Sequence, residues 1–332
     1  MRTNYMQGFS ASLIQGLGKV VDKLNYRLAK PVPVIVQLRN DIRKSVYNHE
    51  NFSTIKNNKT AVNCLERFMA DRGISCSLTI DELSPAFMKS FENWHLEKGK
   101  KLSYSAQNMR CLRAMLNRLT RHCSDLFCDV KTTNCQTEKR ALTEETIAKI
   151  ACAKLPEGTH LELSRDLFMA CFYGMGIPLV DLLHIRREQY QNRHITYYRR
   201  KTHRKVEIVV CPELEAIINK YASVSSSFLF PILDDNGNDE SMRQYKRFYH
   251  RYRRSLDKLS QQLTPFVHIT SYMARHSWAS IAYKNGVAVN DIAQAMGHSN
   301  TKITYAYIKD IDISHLSKAN NIVTQAIFGC AG

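Results

Sequence analysis

Lys201, Arg275, His298 and Tyr307 are residue types that together could break a phosphodiester bond. Doing so without a metal requires a nucleophile, donors for the extra charge on a pentacoordinate phosphorus, and an acid for the departing 5′-oxygen. A tyrosine hydroxyl can attack. Arg275 suits two phosphate oxygens at once, because a planar guanidinium donates in parallel. His298 can donate to a non-bridging oxygen, and Lys201 can protonate the leaving group. Each residue also has a plainer reading. Tyr307 is one of 16 tyrosines, with Tyr305 two positions away, and most tyrosines are packing residues. Lys201 sits among Arg199, Arg200, Arg204 and Lys205, a run that could simply meet phosphates from solvent. A histidine such as His298 can cap a helix or fill a core, and His276 reads as structural, packed under the helix that presents Arg275.

The elements that must hold these groups follow from periodicity. Two β-rich runs, 195–198 and 206–210, flank the basic segment Arg199 to Lys205 and predict a hairpin with a positive tip. Residues 241–263 predict a long helix with Tyr245, Tyr249, Tyr252, Leu256 and Leu259 on one stripe and Arg243, Arg247, Arg251, Arg254 and Lys258 on another. Further helices are expected near 143–153, 161–174 and 178–184, with Thr143 as an N-cap. Upstream, helices are expected at 54–72, 85–99 and 103–123. The last turns Leu112, Met115, Leu116 and Leu119 inward and Arg110, Arg113, Arg118 and Arg121 mainly outward. The fold class is therefore mainly α with a small β-sheet (α+β). Residues 1–45 read as an arm or accessory segment, 46–130 as a helical domain, 131–141 as a polar linker, and 142–332 as a second domain.

Bulk composition narrows the partners. The 332 residues carry 47 Lys plus Arg against 30 Asp plus Glu, a formal charge of +17. Such a surface gains counterion-release free energy on meeting a polyanion, so nucleic acid leads. No run approaches the roughly 20 apolar residues of a membrane span, and the first 17 residues do not read as a secretory signal. A cytoplasmic protein is expected, with no membrane partner. Ten cysteines form no C-x-x-C pair; Cys123, Cys128 and Cys135 with His122 come closest to a metal set, but reduced thiols are expected.

With these residues in view, the chain resembles the tyrosine recombinase (phage integrase) family. That family carries an H-x-x-R-H block, then an L-G-H-S block about twenty residues later, then a tyrosine nine residues past that histidine. Here stand Arg275-His276, then Gly297-His298-Ser299, then Tyr307. Lys201 matches the catalytic lysine of the family's β-turn, and 46–130 matches its helical, SAM-like core-binding domain. The resemblance implies a clamp around double-stranded DNA and a 3′-phosphotyrosyl link that stores the bond energy, so no cofactor and no metal is needed. It also implies four protomers on paired sites, an accessory DNA-bending protein, and a terminal segment, 311–328, docking on a neighbour. Arg110, Arg113, Arg199, Arg200, Arg243, Arg247, Arg251 and Arg254 are the expected phosphate contacts.

Two positions depart from the pattern. The family's first arginine falls on Pro178; Met175 stands where Bacteroides-type mobile-element integrases, which this chain otherwise resembles, place an alternative arginine. Arg186 and Arg187 follow shortly after, better placed for DNA backbone. Tyr272 stands where histidine is commoner, and can still donate one hydrogen bond to phosphate. Loss of one preorganised donor removes about 2.7 to 4 kcal/mol of transition-state stabilisation. The rival expectation is therefore a DNA-binding protein on a recombinase scaffold that does not cut.

Overall fold

The computed structural model describes residues 31–48, 52–120, 123, 125–133, 140–221, 226–235, 237–305 and 307–308. Two compact units divide the chain, Met1–Thr137 and Glu138–Gly332. The terminal segment, most of the linker, and His122, Arg121 and Cys135 lie outside the described residues. The described cysteines are free, and no group of three or more metal-ligating side chains occurs among the described residues. No described helix is long and apolar enough to cross a membrane.

The first unit is built from helices α1 (Val34–Tyr47), α2 (Phe52–Asp71), α3 (Pro85–Glu97) and α4 (Leu102–Leu119). Their apolar faces meet around Leu38, Leu65, Phe68, Phe91, Leu112 and Met115. Phe68 lies 5.2 Å from Phe91 and 6.0 Å from Trp94 between ring centroids. α3 starts where the sequence puts it: Ser84 accepts the Phe87 N–H at 3.2 Å, and Pro85 opens the helix. α1 corrects the sequence reading, which placed its residues up to 45 in an arm. Its β-branched start looks unhelical by propensity, yet Val34, Ile35, Leu38 and Ile42 bury one face in this core, and packing outweighs propensity.

The second unit opens with α5 (Glu144–Ala151), capped by Thr143, which accepts the Thr146 N–H at 3.2 Å. α6 (His160–Tyr173) follows and runs through the core, with Leu167 and Phe168 fully buried. The short α7 (Leu179–Leu182) leads into a three-stranded antiparallel sheet, β1 (Tyr190–Gln191), β2 (His194–Tyr198) and β3 (Lys205–Val209), in that order. Ile195 pairs with Ile208 and Tyr197 with Val206, so the apolar residues of both long strands share the inner face. Then come α8 (Pro212–Tyr221), α9 (Asn238–Gln262), α10 (Met273–Lys284), α11 (Val289–Ala295) and α12 (Thr301–Tyr305). α9 packs against α6 through the expected stripe, with Tyr252, Leu256 and Leu259 buried, while Arg243, Arg247, Arg251 and Arg254 are exposed.

Candidate active site

Three elements bring the candidate residues together. Arg275 lies in the first turn of α10, His298 in the loop after α11, and Tyr307 just after α12. Arg275 is only 2% exposed. Its Nη1 donates to Gly176 O at 2.7 Å; its Nη2 donates to Met296 O at 2.7 Å and to His298 Nε2 at 2.9 Å. An arginine has no acceptor, so His298 Nε2 must accept. The ring proton then sits on Nδ1 and donates to Thr304 Oγ1, 2.8 Å away. Burial, and then the positive charges of Arg275 and Arg199, push His298 down to about 3, so the ring is neutral at pH 7.

Tyr307 is half-buried in a box of rings. Its centroid lies 4.6 Å from His276, 5.0 Å from His298 and 5.8 Å from Tyr272, with the Arg275 guanidinium 5.6 Å from it. The backbone is held too: Tyr307 N–H donates to Thr304 O, and Ser280 Oγ donates to Tyr307 O, both at 2.9 Å. The Tyr272 and Tyr307 hydroxyl oxygens are 2.5 Å apart. Although the Tyr272 residue is 45% exposed, its hydroxyl end packs inward, and desolvation together with Tyr307 pushes the phenol up to about 12. His276 is pushed down to about 4, chiefly by burial, so it too is neutral.

Two glycines with left-handed backbones make the close approaches possible. A Cβ on Gly176 (φ +72°) would stand 3.1 Å from the Arg275 Cα, and one on Gly297 (φ +62°) would stand 2.6 Å from Arg199 Cδ. Thus the loop before α7 and the Gly297-His298 loop each press directly on an arginine.

The sequence patterns decide which family holds this arrangement. Residues 140–312 match the phage integrase family, and residues 37–120 match the phage integrase SAM-like domain. The chain belongs to the phage integrase family. Tyrosine recombinase XerA of Thermococcus onnurineus is 26% identical over 184 residues, 54% of this chain and 61% of that protein. Its counterpart in Thermococcus kodakarensis is 24% identical over the same shares. The chain thus spans about three fifths of the length of these curated relatives. Among solved structures, the Tn1549 transposon integrase in complex with a circular intermediate DNA superposes with a TM-score of 0.66 at 17% identity, covering 87% of this chain and 99% of that one. A lambda integrase dimer bound to a COC′ core site gives 0.61 at 13% identity, covering 89% and 84%. Both likenesses are of fold.

In this chain, Arg275, His298, Tyr307 and Tyr272 converge, whereas Lys201 does not join them. It is exposed at the β2–β3 turn, with no hydrogen bond or ion pair among the described residues. Its turn is nevertheless docked on the site, since Arg204 Nη1 donates to His298 O at 3.0 Å. Arg199 corrects the expectation of a solvated phosphate contact. It is 6% exposed, because it continues the inward alternation of Ile195 and Tyr197, and its Nη1 donates to Met296 O at 3.0 Å and Gly297 O at 3.3 Å. Its Nε faces the buried Asp181 carboxylate at 3.5 Å. Arg200 is half-exposed, and its N–H donates to Asp181 Oδ1 at 3.1 Å. Burial pushes the Asp181 carboxyl up, against the Arg200 amide and the Arg199 charge.

Other expected DNA contacts are partly engaged within their own units. Arg110 donates to Thr132 O at 3.3 Å and Arg113 to Thr132 Oγ1 at 2.9 Å, bracing the segment after the helical core. Arg243 and Arg247 pair with Glu240 at 2.8 and 3.2 Å on the solvent side of α9. Arg186 is an exposed partner of Asp235 at 2.7 Å and stays out of the Arg275 cluster. Sequence reasoning missed the support residues Thr304 and Asp181. It also missed the burial of Arg199, which the parity of β2 could have signalled.

Proposed function

We propose that this chain is a site-specific DNA recombinase that cuts and rejoins double-stranded DNA through a 3′-phosphotyrosyl link on Tyr307. The observation that carries the reading is the Tyr307 phenol held by rings and backbone bonds beside the Arg275 guanidinium and the neutral His298. Arg275 has the fork that phosphate oxygens accept, and on meeting them it would release His298 Nε2. Tyr307 Oη attacks phosphorus while the P–O5′ bond breaks. The phenol proton leaves to water by way of Tyr272, and Lys201, on its exposed turn, protonates O5′ as it leaves. The exposed arginine face of α9 supplies backbone contacts that position the duplex without reading its sequence. No metal or cofactor is required in this scheme.

Assembly and origin belong to the same proposal. Lambda integrase has been seen as a dimer on a core site and as a tetramer on a Holliday junction. By analogy this chain works as a homotetramer on paired sites, aided by a DNA-bending protein. The absence of arginine at position 178 is shared with Bacteroides-type mobile-element integrases and supports that origin, although Met175 departs from the alternative arginine they carry. A nicked suicide duplex tests the function. The wild-type chain should trap a covalent adduct that Tyr307→Phe abolishes; tight binding without an adduct would make the protein a DNA-binding scaffold instead.

A further inference from the structure

We propose that Arg199 is the second phosphate-binding arginine of this site, delivered from the β2–β3 hairpin and not from the helix start where Pro178 stands. The inference rests on the recombinase reading above.

Charge is the first ground. Arg199 and Arg275 are 6% and 2% exposed, and both donate to one oxygen, Met296 O, at 3.0 and 2.7 Å. The buried carboxylate that faces them is Asp181, 3.5 Å from Arg199 Nε. Two buried cations against one buried anion leave an excess positive charge. A buried charge without a partner is held at a penalty, which an incoming anion removes. A DNA phosphate is such an anion.

Unused donors are the second ground. The Nε of Arg199 and the Nε of Arg275 are both buried with no hydrogen-bond acceptor among the described residues; Asp181 pairs with Arg199 by charge without completing a bond. Native folds leave few buried donors in this condition, and phosphate oxygens are the acceptors a guanidinium fork takes.

Placement is the third. Asp181 belongs to α7, three residues beyond Pro178, so the hairpin arginine is tethered to the helix on which the family's own arginine would stand. Gly297 has no Cβ where Arg199 Cδ passes, which keeps the guanidinium against the His298 loop. In the reaction Arg199 and Arg275 each hold a non-bridging oxygen while the Tyr307 Oη–P bond forms and the P–O5′ bond breaks. Protons move as described above, and no oxidation state changes.

A purely structural Arg199, clamping the Met296 and Gly297 carbonyls, makes a different prediction. Two nicked duplexes separate the roles, one with a phosphate at the scissile position and one with a methylphosphonate. The methylphosphonate is neutral and needs one cation fewer. On phosphate, Arg199→Ala should form the adduct about 100- to 1,000-fold more slowly than wild type. On methylphosphonate it should recover most of that loss. Arg199→Lys, which keeps a point charge without the fork, should show the same substrate dependence with a smaller loss, and covers the case in which the alanine variant unfolds. Equal loss on both substrates, or no loss on phosphate, overturns the inference while leaving the recombinase reading intact. Absence of any adduct with the wild-type chain overturns that reading, and the inference with it.

Discussion

The Tyr272 hydroxyl lies 2.5 Å from the Tyr307 hydroxyl, so the oxygen proposed as the nucleophile already has a hydrogen-bond partner before DNA arrives. With its phenol pushed up to about 12, Tyr272 stays protonated at neutral pH and can donate to the charge growing on Tyr307. Tyr272→Phe removes that bond and keeps the ring. At about 1 to 1.5 kcal/mol for such a bond, cleavage should slow roughly tenfold, with duplex binding unchanged. Single-turnover cleavage beside a binding titration checks this; equal rates for both proteins would remove Tyr272 from the chemistry.

Thr304 Oγ1 accepts the hydrogen bond from His298 Nδ1–H, in the tautomer that the Arg275 donor sets. Thr304→Val keeps the shape and leaves that buried N–H without an acceptor, at about 1 to 3 kcal/mol. Lower thermal stability and slower cleavage are expected, and Thr304→Ser should restore both. A valine variant as stable and as fast as wild type would contradict the assignment.

Acid should weaken the fold through His298 and His276, which are pushed down to about 3 and about 4. Below the ordinary histidine pKa of about 6.5 the unfolded chain binds protons that the folded chain refuses, so stability is full above that value. It falls as pH drops toward 4, by up to about 1.4 kcal/mol per pH unit for one fully responding histidine. Denaturant midpoints at pH 7.5, 5.5 and 4.5 test the sign. His298→Gln should flatten the slope; an unchanged slope in that variant and in His276→Gln would rule both histidines out as its source.

Gly297→Ala should be worse than an ordinary helix-cap replacement. Besides about 1 to 2 kcal/mol for the left-handed backbone, its Cβ would press on Arg199 at 2.6 Å and Val206 at 2.7 Å. Gly99→Ala, also left-handed at φ +69° but with open space around the Cβ, should show only the backbone part. Thermal melts of the two variants give the difference, and adduct rates should fall for Gly297→Ala alone.

Much of this was legible in the sequence because spacing constrains it. The α9 stripe and the hairpin follow from periods of 3.6 and 2, and Arg275, His298 and Tyr307 stand at family spacings. α1 was not legible, since its β-branched residues become helical only by burying against a core made elsewhere in the chain. Arg199 was misread because a basic run looks solvated until its place is sorted: Arg199 continues the inward parity of Ile195 and Tyr197, whereas Lys201 lies in the turn beyond the strand and is exposed. Thr304 and Asp181 are supports, and their meaning depends on contacts that no local pattern encodes.

The central claim is that Tyr307 Oη is the atom that takes up DNA. Trapping the suicide complex, digesting both protein and DNA, and sequencing the nucleotide-bearing peptide by mass spectrometry tests it most directly. The account predicts a 3′-nucleotide attached at Tyr307; attachment at Tyr305 or Tyr272, or an unmodified peptide from DNA that has been cut, would contradict it.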